Sequence, residues 1–121
     1  MAQTGAKAAP KEPPGREIRI EVSLDSKGHI VTNPKSFRVS KCRNEEIVWV
    51  CVEKHHHRNG EQPCFTVDFE TNGSPFYESQ FSSHTAVSGL VRRSVLAGPK
   101  RYKYTVRVGD VVDDPDGVVD P

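Results

Sequence analysis

The sequence predicts an all-β fold, a Greek-key β-sandwich or barrel of seven or eight short strands. Three observations predict it. Apolar side chains recur at every second position in several short segments, as they do in half-buried strands. Turn-forming residues separate these segments at intervals of roughly 8 to 12 residues, which is typical of sandwiches. No segment has the apolar spacing of an amphipathic helix, and only residues 77–83 could hold a helical turn.

Length and composition predict one small domain with a tail. The chain has 121 residues, of which 35% are hydrophobic, and a net charge of +1. This balance argues against a strongly basic nucleic-acid binder and against an acidic disordered chain. The longest apolar run, residues 47–52, is far shorter than the roughly 20 residues of a membrane-spanning helix. The first residues carry no apolar secretory signal, so we expect neither membrane association nor export.

The chain divides into a tail at residues 1–16 and a sandwich at residues 17–121. The first segment is rich in proline and has no apolar period, which predicts a flexible tail or, alternatively, a short arm that docks on a partner. Trp49 lies in a run that is β-branched on both faces, which predicts a central strand covered on both sides. The segments predicted to form or contain strands are 17–23, 29–31, 36–40, 46–52, 65–69, 86–96, 102–108 and 118–119, with a polar loop at 53–62, a loop at 74–81 and a turn at 97–99.

The three cysteines, Cys42, Cys51 and Cys64, limit the cysteine chemistry that the chain can support. No two of them are separated by two residues, which excludes a structural zinc site of paired Cys-x-x-Cys type. An odd number of cysteines without a secretory signal favours reduced thiols in a cytoplasmic protein. One disulfide with a spare thiol is the alternative.

Three aromatic-bearing segments carry a resemblance to a known family. They are Val48-Trp49-Val50, Phe65–Phe69 and Gly98–Val106, the last of which contains Tyr102 and Tyr104. In this order they resemble the cupredoxins, the small sandwiches of plastocyanin and its relatives, over about residues 17–121. Immunoglobulin-like folds are the main alternative, but those domains usually pair two cysteines across the tryptophan, and the order of residues here does not suit that.

The resemblance implies a fold without the copper chemistry of the family. Cupredoxins hold copper with a cysteine, two histidines and a methionine. The corresponding positions here carry Val106, Gly109 and Phe65 (or Cys64), and residues 113–115 stand where the methionine would fall. Valine, glycine and phenylalanine cannot ligate a metal. The resemblance therefore implies a copper-free module with no cofactor.

Histidines and Cys64 suggest an alternative, metal-binding function. The consecutive residues His55, His56 and His57 could bind copper, nickel or zinc at the surface, although a solvated loop is the simpler interpretation. Cys64 with His84 could form a non-standard metal site where cupredoxins bind copper. Otherwise Cys64 is a small buried hydrophobic residue. Metal handling or electron transfer, with copper as the cofactor, would follow from either site.

Two further sets of residues are candidate contacts for a partner. Phe76, Tyr77 and Phe81 could form an exposed apolar contact or, alternatively, a plug that seals the core. Lys103 and Arg107 point to one strand face, which is either a patch for an acidic partner or nucleic acid, or the solvated outer face of an edge strand.

No enzyme motif is present in the sequence. It lacks a serine nucleophile elbow, a phosphate-cradling glycine loop and a His-Glu-x-x-His zinc motif, so we expect no enzymatic activity. The sequence thus predicts a non-catalytic, copper-free, cupredoxin-like module. Its partner is expected to be another protein, bound through the end loops with the tail as a tether, unless its role is structural. Nucleic acid is not expected as a partner, and the sequence predicts no oligomeric state.

Overall fold

Ten β-strands and no helix form the described part of the chain, residues 16–52, 64–70 and 73–121, in a computed structural model. The all-β prediction is confirmed. No helix in these residues is long and apolar enough to cross a membrane. The strands are β1 (Arg16–Leu24), β2 (Ile30–Asn33), β3 (Ser36–Ser40), β4 (Glu45–Cys51), β5 (Phe65–Phe69), β6 (Gln80–Ser83), β7 (Thr85–Leu90), β8 (Gly98–Val108), β9 (Val111–Asp113) and β10 (Asp116–Asp120).

The strands form two sheets around one apolar interior. The smaller sheet has the order β2-β1-β4-β7, and the larger has the order β3-β10-β8-β5-β6, with β9 paired to β8. The pairs β1–β4 and β3–β10 are parallel, and the other strand pairs are antiparallel. The consecutive strands β3 and β4 lie in different sheets, so the chain crosses from the larger sheet to the smaller one at this point.

The strand boundaries agree with the alternating pattern in some places and not in others. β3 and β5 have the predicted bounds. β6 and β9 were not predicted, because β6 holds a single large apolar residue, Phe81, and β9 is only three residues long. β8 begins at Gly98, inside the predicted turn at 97–99, since Gly98 pairs with Val119 of β10. Arg16, assigned to the tail from sequence, starts β1, and residues 1–15 lie outside the described residues.

A cluster of aromatic rings fills the space between the sheets. Trp49 of β4 is fully buried, and its indole Nε1 donates a hydrogen bond of 3.2 Å to the hydroxyl oxygen of Tyr104 on β8. The Tyr104 ring also packs on Phe69, with 5.0 Å between ring centroids, and on Phe37, with 6.0 Å. Burial raises the pKa of Tyr104 far above its usual value, so the phenol stays protonated. The hydrogen bond between Trp49 and Tyr104 therefore joins the two sheets inside the core.

β4 is covered on both faces over most of its length, as the sequence predicts: residues 45–49 are buried, and Val50 and Cys51 are half-buried. Ile47 and Trp49 point inward and are fully buried. On the outer face, Arg19 of β1 lies opposite Val48, and its guanidinium pairs with Glu21 at 3.2 Å. In the described part of the chain, long side chains of the neighbouring strand flank this face, and Val48 on it is buried.

A glycine in β10 allows close packing of the larger sheet against Phe37. A Cβ atom built on Gly117 would lie 2.3 Å from the Phe37 ring, well inside van der Waals contact. Phe37 is fully buried and belongs to the aromatic cluster, so it has little room to move. Gly117 is thus required by packing.

We expect Gly117→Ala to destabilise the domain by about 1–3 kcal/mol, the usual cost of overpacking a core. Urea unfolding followed by circular dichroism measures the free energy of unfolding. Gly98→Ala is the matched control, because a Cβ atom there meets nothing within 4 Å. Equal stability of the two variants would show that Phe37 does not pack on Gly117.

We expect Tyr104→Phe to cost about 1–3 kcal/mol, because it leaves the buried Trp49 N–H group without an acceptor. Tyr102→Phe is the control, since the Tyr102 hydroxyl has no hydrogen-bond partner among the described residues. The same urea titration compares the two variants. A Tyr104→Phe variant as stable as its control would contradict a hydrogen bond between the sheets.

Candidate functional site

A disulfide joins Cys51, the last residue of β4, to Cys64, which precedes β5. Cys42 is exposed and free. The expectation of three reduced thiols is therefore wrong, and the alternative of one disulfide with a spare thiol is correct. The expectation of a cytoplasmic protein rested on reduced thiols and loses that support.

The predicted metal ligands fall into two groups. His84 does lie beside the cysteines, because the Cys51 N–H donates to its carbonyl oxygen at 3.0 Å and Ser83 pairs with Phe65. The Cys64 sulfur, however, is bonded to Cys51 and offers no thiolate in this state. Among the described residues no group of three or more His, Cys, Asp or Glu side chains is placed to hold a metal ion. His55, His56 and His57 lie outside the described residues.

The loop before β6 seals the core. Phe76 is 1% exposed, and its ring centroid lies 5.8 Å from that of Phe69, so its prediction as an exposed contact is wrong and the plug alternative is correct. Tyr77 is half-buried, and its hydroxyl oxygen accepts a hydrogen bond from the Arg93 N–H at 3.3 Å. Phe81 is half-buried as well and packs 5.5 Å from Trp49.

Lys103 and Arg107 are exposed on the outer face of the larger sheet. The interpretation of β8 as an edge strand is wrong for residues 104–107, which pair with β5, whereas residues 98–103 pair with β10 alone among the described strands. Acidic side chains share this face: Asp116 lies opposite Lys103 and pairs with Arg101 at 2.8 Å. Hydrogen bonds, first from Arg101 and then from Ser36, lower the pKa of Asp116 and keep it ionised. Charges of both signs therefore lie around Lys103.

The most accessible large apolar side chain of the described residues is Leu96, which is 83% exposed. It lies beside a cleft of about 640 Å³ formed by the loop at residues 92–97 and the start of β8, which we call the 92–102 cleft. Val95 and Tyr102 contribute buried apolar surface to its lining. The remaining residues that line it are Arg92, Ser94, Ala97, Gly98, Pro99 and Lys100, which include two cations and no acid.

The loop that carries Leu96 is fixed from several sides. The Lys41 ammonium donates hydrogen bonds to the carbonyl oxygens of Arg93 and Val95. The Arg92 N–H donates to the carbonyl oxygen of Pro75 at 2.8 Å, and Arg92 Nη2 donates to that of Ser74 at 2.7 Å. These contacts order the loop before any ligand binds, which lowers the entropic cost of binding.

Sequence reasoning did not find this cleft. The pattern predicted a strand segment at 86–96 and a turn at 97–99, and it assigned no role to Leu96. Two signals were present. Leu96 is an apolar residue directly before a Gly-Pro turn, and residues 79–109 contain no Asp or Glu.

In comparisons with known proteins, no family model, curated protein or solved structure matches this chain. The candidate site therefore rests on the geometry of the chain itself.

We expect loss of the disulfide to lower the free energy of unfolding by about 3 kcal/mol, the usual effect of cross-linking a loop of this size. The measurement is urea unfolding of Cys42→Ala, with and without reductant, beside the double variant Cys51→Ala/Cys64→Ala. Cys42→Ala should match the wild type under oxidising conditions, because Cys42 is exposed and free. A stability that does not respond to reductant would contradict the bond.

Proposed function

We propose that this protein is a non-catalytic module that binds another protein through the 92–102 cleft. The observation that carries the proposal is the exposure of Leu96 beside the buried apolar lining of that cleft. An isolated exposed leucine is ordinary on a protein surface. Here it continues an apolar depression on an ordered loop, and protein interfaces are anchored by apolar side chains of this kind.

We further propose that the scaffold is a cupredoxin-like sandwich without copper. The residues at two of the positions where the resemblance would place ligands, Phe65 and Val106, are buried in the core. Neither side chain can bind a metal, and both are part of the packing that holds β5 and β8 together. A rigid sandwich that presents loops at its ends is a common design for recognition.

The docking surface proposed here differs from the one predicted from the sequence. The loop at 74–81 was expected to contact the partner, but Phe76 lies in the core. This loop instead supports the cleft, because the carbonyl oxygens of Ser74 and Pro75 hold Arg92. We therefore assign the recognition surface to the loop at 92–97, which carries Leu96.

The disulfide also bears on where the protein acts. Bonds such as Cys51–Cys64 persist in oxidising compartments and are rare where glutathione keeps thiols reduced. We therefore propose an oxidising compartment in place of the cytoplasm expected from sequence.

The test is site-specific photo-cross-linking in the source cells. A benzophenone amino acid at position 96 should capture a distinct protein, whereas the same group at position 112 should not. Val112 is the matched control, because it is also an exposed apolar residue but lies on β9, outside the cleft lining.

With the captured protein purified, Leu96→Ser should weaken binding by about tenfold or more, the effect of removing an anchoring side chain. Val112→Ser should leave the affinity unchanged. Identical capture from positions 96 and 112, or an affinity that does not respond to Leu96→Ser, would reject the proposed surface.

A further inference from the structure

We infer that the 92–102 cleft binds an extended peptide segment in which a carboxylate lies next to a large apolar side chain. The inference rests on the proposed function and adds the chemistry of the partner. Three observations on the described residues carry it: cations without carboxylate partners there, an apolar lining, and a stretch of β8 with which the described strands pair on one side alone.

The cations around the cleft have no carboxylate partner in the described part of the chain. Arg92, Arg93 and Lys100 form no ion pair there within 4.0 Å, whereas the nearby Arg101 pairs with Asp116. The absence of acidic residues from 79 to 109 explains this locally. A ligand that carries a carboxylate would complement the charge of this surface.

Arg92 is the most informative of these cations. Its side chain is half-buried, and Nη2 donates to a neutral acceptor, the carbonyl oxygen of Ser74. Its Nε is buried and makes no hydrogen bond in the described residues. A guanidinium that is partly removed from water without an anion is costly, and a nearby carboxylate offsets the cost with a charge-assisted interaction.

The apolar part of the ligand follows from the lining. Leu96 and Val95 lie on one side, and Tyr102 lies on the other, with the Lys100 ammonium 5.1 Å from the centre of its ring. A cleft of about 640 Å³ falls within the range of sites that hold a compact ligand or a few side chains. One large apolar side chain beside the carboxylate would use both the cations and the lining.

The extended conformation follows from the pairing of β8. β5 pairs with β8 only along residues 104–107, whereas β8 begins at Gly98. Along residues 98–103, the described strands pair with β8 on one side alone, through β10. This stretch borders the cleft, and a strand with an open side can add an extended peptide by main-chain hydrogen bonds.

Nucleic acid is the other anionic partner that a basic surface could bind. Single-stranded nucleic acid needs exposed aromatic faces for stacking, but Tyr102 is buried and lies under Lys100. The most exposed large apolar side chain of the cleft, Leu96, is aliphatic. The geometry therefore favours a peptide.

The test is selection from a random decapeptide library displayed on phage, with the intact, oxidised protein as bait. Peptides retained by the wild type but not by Leu96→Ser should carry Asp or Glu within two positions of Leu, Ile, Val or Phe, several-fold above the library frequency. A synthetic peptide made from the enriched pattern should lose about tenfold in affinity when its acids become Asn or Gln.

Variants of the protein test which cations are responsible for the preference for acidic peptides. Arg92→Gln and Lys100→Gln should each reduce the difference in affinity between the acidic and the neutral peptide. Arg107→Gln is the control, since it removes an exposed cation on the outer face of the larger sheet. Because Arg92 also supports the loop, circular dichroism confirms folding of that variant, and the exposed Lys100 gives an independent result.

The outcomes separate this inference from the proposed function. Enriched peptides that depend on Leu96 but carry no excess of acids would overturn the inference and leave the protein-binding surface in place. Failure to enrich any peptide, together with no capture from position 96, would overturn both. Tight binding of single-stranded DNA that is lost in Lys100→Gln would replace the peptide with nucleic acid.

Discussion

The contact between Trp49 and Tyr104 is the interaction on which the rest of the structure depends. It joins the central strand of the smaller sheet to the central strand of the larger one, and it satisfies the indole N–H where no water reaches. Rings from other strands pack around it, among them Phe37 and Phe69. Burial raises the pKa of Tyr104 far above its usual value, so the phenol at this contact stays uncharged.

This central contact also determines what β8 presents at the surface. With Tyr102, Tyr104 and Val106 facing inward, the alternation of the strand turns Lys103 and Arg107 outward. β8 is longer than β5, so its first residues extend past the end of that strand and form one side of the 92–102 cleft. The loop at 92–97 forms the other side, supported by the segment around Pro75. The residues of β8 that border the candidate binding surface are thus neighbours, along one strand, of the residues that pack in the core.

The alternating pattern predicted the fold class because side-chain parity is a local property of a strand. It identified β3 and β5 residue by residue, and it placed Trp49 in a central strand. It could not identify β6, whose pairing with β5 supplies what its own composition lacks. One disulfide was an open alternative, but its pairing and the exposure of Leu96 could not be predicted, since each depends on which distant segments lie beside Cys51 or the 92–97 loop.

The cations of the larger sheet and those of the 92–102 cleft differ in their partners, and this difference bears on function. Arg101 is matched by Asp116, and Arg38 by Asp120, so two exposed cations of the larger sheet are compensated within the chain. Arg92 and Lys100 have no such match among the described residues, although Arg92 is half-buried. An exposed cation is solvated by water whether or not it has a partner, whereas the half-buried Arg92 is only partly solvated, and departures of this kind concentrate at functional sites. In the proposed complex, the ligand of the cleft would supply the anion that Arg92 lacks among the described residues.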